Sequence, residues 1–244
     1  MLANNNKMII NKLAKNSVKS NKKQYGILFF TIVLSAFMLF CVFTIGLTYL
    51  DSSRLQNTRL NGAEYDITTM NGFTSKQVKS LQSNKNIQNV GMESYAGFIK
   101  SSEFDNTVEI GLLWCDETFW NNLMSPARTK LDGHYPQNKN ELMVTKDILK
   151  ACGNENLSVG DSIVLTYENN TGVHTDKFVI SGIWDGYGDK SAGFVSKNFY
   201  DETGYDLKND GILCIKLNRN YVLPTTIQSL EKSLNFSDRQ IFAP

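Results

Sequence analysis

The chain is short of the residues that usually mark catalysis, metal binding or a covalent framework. Its 244 residues include two histidines, four cysteines and four prolines. His134 and His174 are far apart, and neither lies in H-E-x-x-H or at ligand spacing from a cysteine, so the common zinc signatures are absent. Both read as surface or turn residues. Cys41 falls within an apolar run. Cys115, Cys152 and Cys214 show no C-x-x-C and no framework spacing, so one disulfide and three free, buried thiols are both compatible with the sequence. No G-x-x-x-x-G-K-[ST] phosphate loop occurs. The stretch Gly188-Asp189-Lys190-Ser191-Ala192-Gly193 has some of its letters in the wrong order and is not read as a phosphate site. Ser191 before Gly193 lacks the first glycine of a nucleophile elbow, because Asp189 stands there. Asp185 and Asp189 share a loop without the D-x-[DN]-x-[DN]-G order of a calcium site, and read as solvated acids. No catalytic, cofactor-binding or metal-ligating residue is assigned, and the chain is expected not to be an enzyme.

Charge is also missing where it matters most. Ile27–Leu50 is 24 residues without one charged side chain. As a helix it would reach ~36 Å, enough to cross a hydrocarbon core of ~30 Å with some tilt. Its few hydroxyls, among them Thr31, Ser35, Thr44 and Thr48, can bond back to the helix's own carbonyls. The run is much longer than the ~7–15-residue core of a signal peptide, and no A-x-A-like site follows it. It is therefore expected to remain as a transmembrane helix.

The flanks orient this helix. Residues 1–24 carry six lysines and no acid; since the whole chain has a net charge of +1, the remainder carries −5. Lysine-rich flanks stay in the cytoplasm, so the N-terminus is expected inside and residues 51–244 outside the cell. A mildly acidic folded part argues against a nucleic-acid partner. Within residues 8–23 the apolar positions Ile10, Leu13, Ala14, Ser17 and Val18 share one helical face, opposite Lys12, Lys15, Lys19, Lys22 and Lys23. This pattern fits an amphipathic helix lying on the anionic inner leaflet; a disordered basic tail that only sets topology is the alternative. A lysine- and asparagine-rich, proline-poor composition fits an AT-rich bacterial genome and a cell with a single membrane.

Past the span, two β-α-β patterns stand about a hundred residues apart. The first has a strand over Glu64–Met70, the turn Asn71-Gly72, a helix opened by the capping pair Thr74 and Gln77, and a strand before residue 100. The second has a strand over Gly211–Leu217, a helix carrying Ile227, Leu230 and Leu234, and a strand at Gln240–Phe242. The middle is strand-rich. Strands are expected at Val108–Trp114, Glu141–Val144, Ser162–Tyr167 and Thr175–Trp184, short helices at Glu117–Leu123 and Asp147–Cys152, turns at 131–136 and 157–161, a hairpin at Asn169–Gly172 and a loop at 185–189. The expected class is α+β. Its parts are a cytoplasmic basic segment (1–24), a transmembrane helix (25–50), a split α/β subdomain (51–100 with 207–244) and an inserted β-rich subdomain (101–206). Trp114, Trp120 and Trp184 are expected in the core. Tyr187, with Asp185 and Asp189 in a glycine-rich loop, is the candidate for an exposed contact.

The order of four segments resembles the extracytoplasmic core domain of MacB/FtsX-like ABC transporter permeases. They are Asp132-Gly133-His134-Tyr135-Pro136, Asn140-Glu141-Leu142-Met143-Val144, Leu157-Ser158-Val159-Gly160-Asp161-Ser162-Ile163 and Phe178-Val179-Ile180-Ser181-Gly182-Ile183. The resemblance covers nearly the whole chain, including the basic segment and first helix. It implies a permease part that couples ATP hydrolysis on a cytoplasmic ABC ATPase subunit to motion of its external domain. It also implies export or extraction of a lipid, lipoprotein or antimicrobial peptide, and no catalytic residues of its own. Such permeases continue into further membrane helices. Only one long apolar run occurs here, so the resemblance implies the N-terminal part of a permease, or a split or degenerate one, completed by further helices or a second permease copy. The alternative is a single-pass, membrane-anchored extracellular binding or sensing module.

Overall fold

The computed structural model describes residues 6–100, 110–187, 192–218, 223–236 and 241–242. Contacts divide the chain into two compact units, Met1–Arg54 and Leu55–Pro244.

The first unit is helical, formed by α1 (Asn6–Ser20) and most of α2 (Lys22–Asn61). Among the described residues α2 is the one helix long and apolar enough to cross a membrane; its apolar window has mean hydropathy 2.6 and no buried residue. Thr31 and Thr44 donate to the carbonyls of Ile27 and Phe40 at 2.9 and 2.8 Å, so these hydroxyls need no outside partner. The basic segment is helical, but α1 stops at Ser20 and Lys22 and Lys23 open α2. The Asn21 amide donates to the Ser17 carbonyl at 3.0 Å and the Tyr25 amide to the Asn21 carbonyl at 3.1 Å, so helical bonding passes across the break.

The second unit is α+β, and its strands form one mixed sheet. In chain order these are β1 (Ile67–Thr69), β2 (Ile87–Lys100), β3 (Ile110–Cys115), β4 (Arg128–Gly133), β5 (Glu141–Thr145), β6 (Ser162–Asn169), β7 (Gly172–Gly186), β8 (Gly193–Val195), β9 (Ile212–Leu217) and β10 (Ile241–Phe242). The helices between them are α3 (Ser75–Gln82), α4 (Lys146–Ala151), α5 (Lys197–Tyr200), α6 (Leu207–Asp210) and α7 (Leu223–Leu234). Strand order is β10-β1-β9-β2-β3-β8-β5-β7-β4, with β6 pairing β2 and β7.

The split pattern closes as its sequence suggests. Strand β1 pairs antiparallel with both β9 and β10, which joins the two ends of the domain. Thr74 caps α3: its hydroxyl accepts from the Gln77 amide, and the Gln77 side chain accepts from the Thr74 amide at 2.8 Å. The strand β2 belongs to both halves. It pairs with β9 from Ile87 to Glu93, with β3 from Glu93 to Ile99, and with β6 at its end. The α/β part and the β-rich part are therefore continuous through one strand, while their cores remain distinct. One core gathers Ile67, Leu81, Leu213, Ile215 and Leu230; the other gathers Leu112, Trp114, Leu142, Ile180, Phe199 and Tyr200. Each such buried side chain contributes about 1.5–3 kcal/mol. Met92 and Leu207 pack against both cores and mark the seam.

Several expectations are corrected. The stretch 131–133, expected as a turn, belongs to β4, which lies antiparallel to β7 with Leu131 opposite Trp184. This edge strand is almost wholly exposed, so it lacks the alternation that would announce it. Gly133 has φ 85°, and a Cβ there would lie 2.2 Å from the Ser181 carbonyl oxygen. The helix expected over 117–123 is π-helical from Phe119 to Leu123. It presses onto β2 at Gly91, where a Cβ would stand 2.7 Å from a Leu123 methyl. Asp185 and Gly186, expected in a loop, end β7. Cys115, Cys152 and Cys214 are all free thiols.

Candidate functional site

The last turns of α2 are anchored in the second unit by four kinds of contact. Thr58 is buried. The Arg59 guanidinium lies 4.0 Å from the centroid of the Tyr187 ring, and its Nη2 donates to the Tyr187 hydroxyl at 3.3 Å. Gly62, at φ 78°, ends the helix, and its amide donates to the Thr58 carbonyl at 3.0 Å. Ala63 then enters a third core with Phe119, Trp120, Leu123, Trp184 and Phe194. The Glu64 amide donates to the Leu123 carbonyl at 2.7 Å, and its carboxylate pairs with Lys216 on β9 at 2.5 Å. The Glu64–Lys216 side chains are only 26% and 20% exposed, so this pair is less screened than a surface one. One short stretch of chain is thereby tied to the end of β7, to the π-helical turn and to the C-terminal end of β9.

Beside this junction, a buried polar group holds the sheet's centre together. The Tyr135 hydroxyl accepts from the Cys115 amide at 3.0 Å, and lies 3.2 and 3.3 Å from the carbonyls of Cys115 and Val195, to which it can donate. It thus links β3 to β8. Its ring lies 5.1 Å from that of Trp120, which is capped by Arg128 at 4.0 Å. Burial pushes the Tyr135 hydroxyl and the Cys115 and Cys214 thiols well above their ordinary values. Tyr65 is pushed up to about 12, by burial and then by Cys214 and Glu93. All four stay protonated at neutral pH, so neither thiol is a nucleophile. Asp116 is raised by burial, although its Oδ1 accepts from the Met92 and Phe119 amides at 2.8 and 2.9 Å. This arrangement is suited to holding strands together rather than moving protons.

The structure separates the residues singled out in the sequence. Tyr187, expected as an exposed contact, is half-buried against Arg59, because the long helix ends beneath it. Asp185 is exposed on β7 opposite Lys130, and accepts from the Gly186 amide at 3.1 Å. Asp189 and Ser191 lie outside the described residues. Lys12, Lys15, Lys19, Lys22 and Lys23 are all helical and exposed. His134 is exposed, with Nδ1 3.0 Å from the Tyr135 carbonyl; His174 bonds Thr171 at 2.8 Å and stacks on Tyr167. Among the described residues no cluster of three or more histidine, cysteine or acidic side chains could hold a metal ion. The Arg59–Tyr187 contact was missed in the sequence: the residues stand 128 positions apart, and neither lies in a motif.

No family model and no curated protein matches the sequence. Among solved structures, the fold is similar to the extracellular domain of the noncanonic ABC-type transporter YknZ from Gram-positive bacteria. That likeness has 10% identity and a TM-score of 0.48, and covers 74% of this chain and 98% of that one. It is also similar to the periplasmic region of MacB from Actinobacillus actinomycetemcomitans, with 12% identity, a TM-score of 0.47 and coverage of 75% of this chain and 90% of that one.

Proposed function

We propose that the chain is the N-terminal part of an ABC transporter permease subunit, with α2 as the stalk between a cytoplasmic ATPase partner and an extracytoplasmic domain. The observation that carries this reading is the continuity of α2. One 40-residue helix holds an apolar stretch with no buried residue, and its last turns are fixed to the domain through Thr58, Arg59 and the chain to Glu64. A helix is stiff along its axis, so axial or rocking motion of the stalk reaches the π-helical turn, β7 and β9 together. The lysine-rich α1 lies on the inner leaflet, and further permease helices or a second copy complete the pore. The cargo is a lipid, lipoprotein or peptide drawn from the membrane surface, and ATP is hydrolysed on the partner.

The full chain, purified from native membranes, is expected to bring down an ATP-hydrolysing subunit whose turnover rises in its presence. In Tyr187→Ala the subunit is still captured but the stimulation falls several-fold, because the stalk's grip on the domain is loosened. Purification without any ATPase would overturn this reading and leave the membrane-anchored binding or sensing module.

A further inference from the structure

A cleft of about 680 Å³ opens at the seam between the two cores. Its size lies in the range of small-molecule sites, roughly 300–1,000 Å³. Phe73, Val78, Met92 and Trp114 supply an apolar lining, and Leu207 closes it from α6. Phe73, Val78 and Trp114 are themselves buried, so the cleft is floored by core side chains and not by loose surface groups.

The walls are fixed in place. The Gly72 amide donates to the Gly211 carbonyl and the Phe73 amide to the Leu207 carbonyl, both at 3.0 Å, so the turn before α3 is bonded to α6 across the seam. Asn71 and Gly72 both have positive φ, at 67° and 85°. This turn brings the chain so close to α6 that a Cβ on Gly72 would overlap the Lys208 carbonyl. Little ordering is left for a ligand to impose, which favours binding.

The rim is cationic. Lys79 from α3, Lys197 from α5 and Lys208 from α6 line the cleft against one carboxylate, Asp206. That carboxylate is already engaged: Oδ1 accepts from the Lys208 amide at 2.9 Å and Oδ2 from the Asn209 side chain at 3.0 Å. Lys197 pairs with Asp201 and lies 5.3 Å from the centroid of the Trp114 ring. Among the described residues the ion pairs do not involve Lys79 or Lys208. Two ammonium groups at the mouth of an apolar cleft suit a ligand with both an anionic head and an apolar tail.

We infer that this cleft binds an anionic amphiphile, its tail against Trp114 and Phe73 and its phosphate or carboxylate head between Lys79 and Lys208. The inference rests on the second unit alone and does not require that the chain take part in transport. A ligand seated there touches both cores at once, and so bears on how the α/β part and the β-rich part are set against each other.

The test uses the full chain in phosphatidylcholine nanodiscs, with empty nanodiscs as blank, titrated with hexyl phosphate by calorimetry and tryptophan emission. Saturable binding with a change in emission is expected, the emission change being lost in Trp114→Phe. Hexyl glucoside, which has the tail without the charge, and inorganic phosphate, which has the charge without the tail, should each bind at least about tenfold more weakly. Lys79→Gln/Lys208→Gln should lose about tenfold in affinity, in keeping with two lost solvent-exposed charge contacts. Lys146→Gln/Lys150→Gln, the same charge change on exposed α4 positions, should bind as the parent does. The inference is overturned if hexyl phosphate does not bind, if either half-ligand binds as well, or if the two double variants behave alike.

Discussion

At the scale of single residues, the domain's polar interior depends on groups whose partners come from distant strands. The Tyr135 hydroxyl serves the Cys115 amide and reaches a carbonyl on β8, so Tyr135→Phe leaves a buried amide unpaired. A loss of about 1–3 kcal/mol is expected, read as a lower urea midpoint with unchanged slope. Asp116 behaves differently. Burial raises its carboxyl, so the neutral form is favoured in the folded state. Its contribution is fully present below the carboxyl's unfolded value and is lost as pH rises through the raised folded value. Asp116→Asn keeps an oxygen for the Met92 and Phe119 amides and has no charge to bury. Its thermal midpoint should coincide with the parent's in acid and lie above it at neutral pH, as scanning calorimetry across pH 3–8 would show.

At the scale of elements, α2 and β2 stand apart from the rest. Both run through two environments: α2 from the apolar stretch into the domain, β2 from the α/β core into the β-rich core. Softening α2 between these environments tests its role as a stalk. Ser52→Gly/Ser53→Gly costs the helix about 0.5 kcal/mol per position without touching the domain's cores. The domain's unfolding midpoint should stay unchanged while ATPase stimulation drops, and retained stimulation would count against transmission through α2. Element identity was readable where local chemistry specifies it. The capping pair Thr74–Gln77, the hairpin closed by Asn169 and Gly172, and Gly153 with φ 66° after α4 were all visible in the sequence. Strand β4 was not, because an exposed edge strand needs no apolar alternation and its Asp132-Gly133 pair has the composition of a turn. The three-residue β8 was not visible either, since its pairing with β3 and β5 comes entirely from chain remote in sequence.

At the scale of the molecule, charge placement is expected to set topology. Replacing Lys12, Lys15, Lys19, Lys22 and Lys23 by glutamine removes all but Lys7 of the basic flank that is expected to hold the N-terminus inside. Protease added to intact protoplasts should digest the second unit of the parent chain. In the fivefold variant a fraction of the second unit should become protected. Protection of the parent's second unit would overturn the assigned orientation.

The sequence by itself determined the features that rest on runs and neighbours. These are an apolar stretch long enough to span a bilayer, the sign of its flank, the caps of α3 and α4, the hairpin turn between Asn169 and Gly172, and the burial of Trp114, Trp120 and Trp184 at 7%, 6% and 3% exposure. Each follows from residues within a few positions of one another, where helix period, strand alternation and turn geometry act directly. Only the tertiary structure decided that Tyr187 meets Arg59, that Tyr135 links β3 to β8, and that Lys79 and Lys208 stand on one cleft. Those pairings join residues a hundred or more positions apart in two of the three cases. They arise from strand order and register, which depend on the free energy of the whole packed sheet and leave no local mark in the chain.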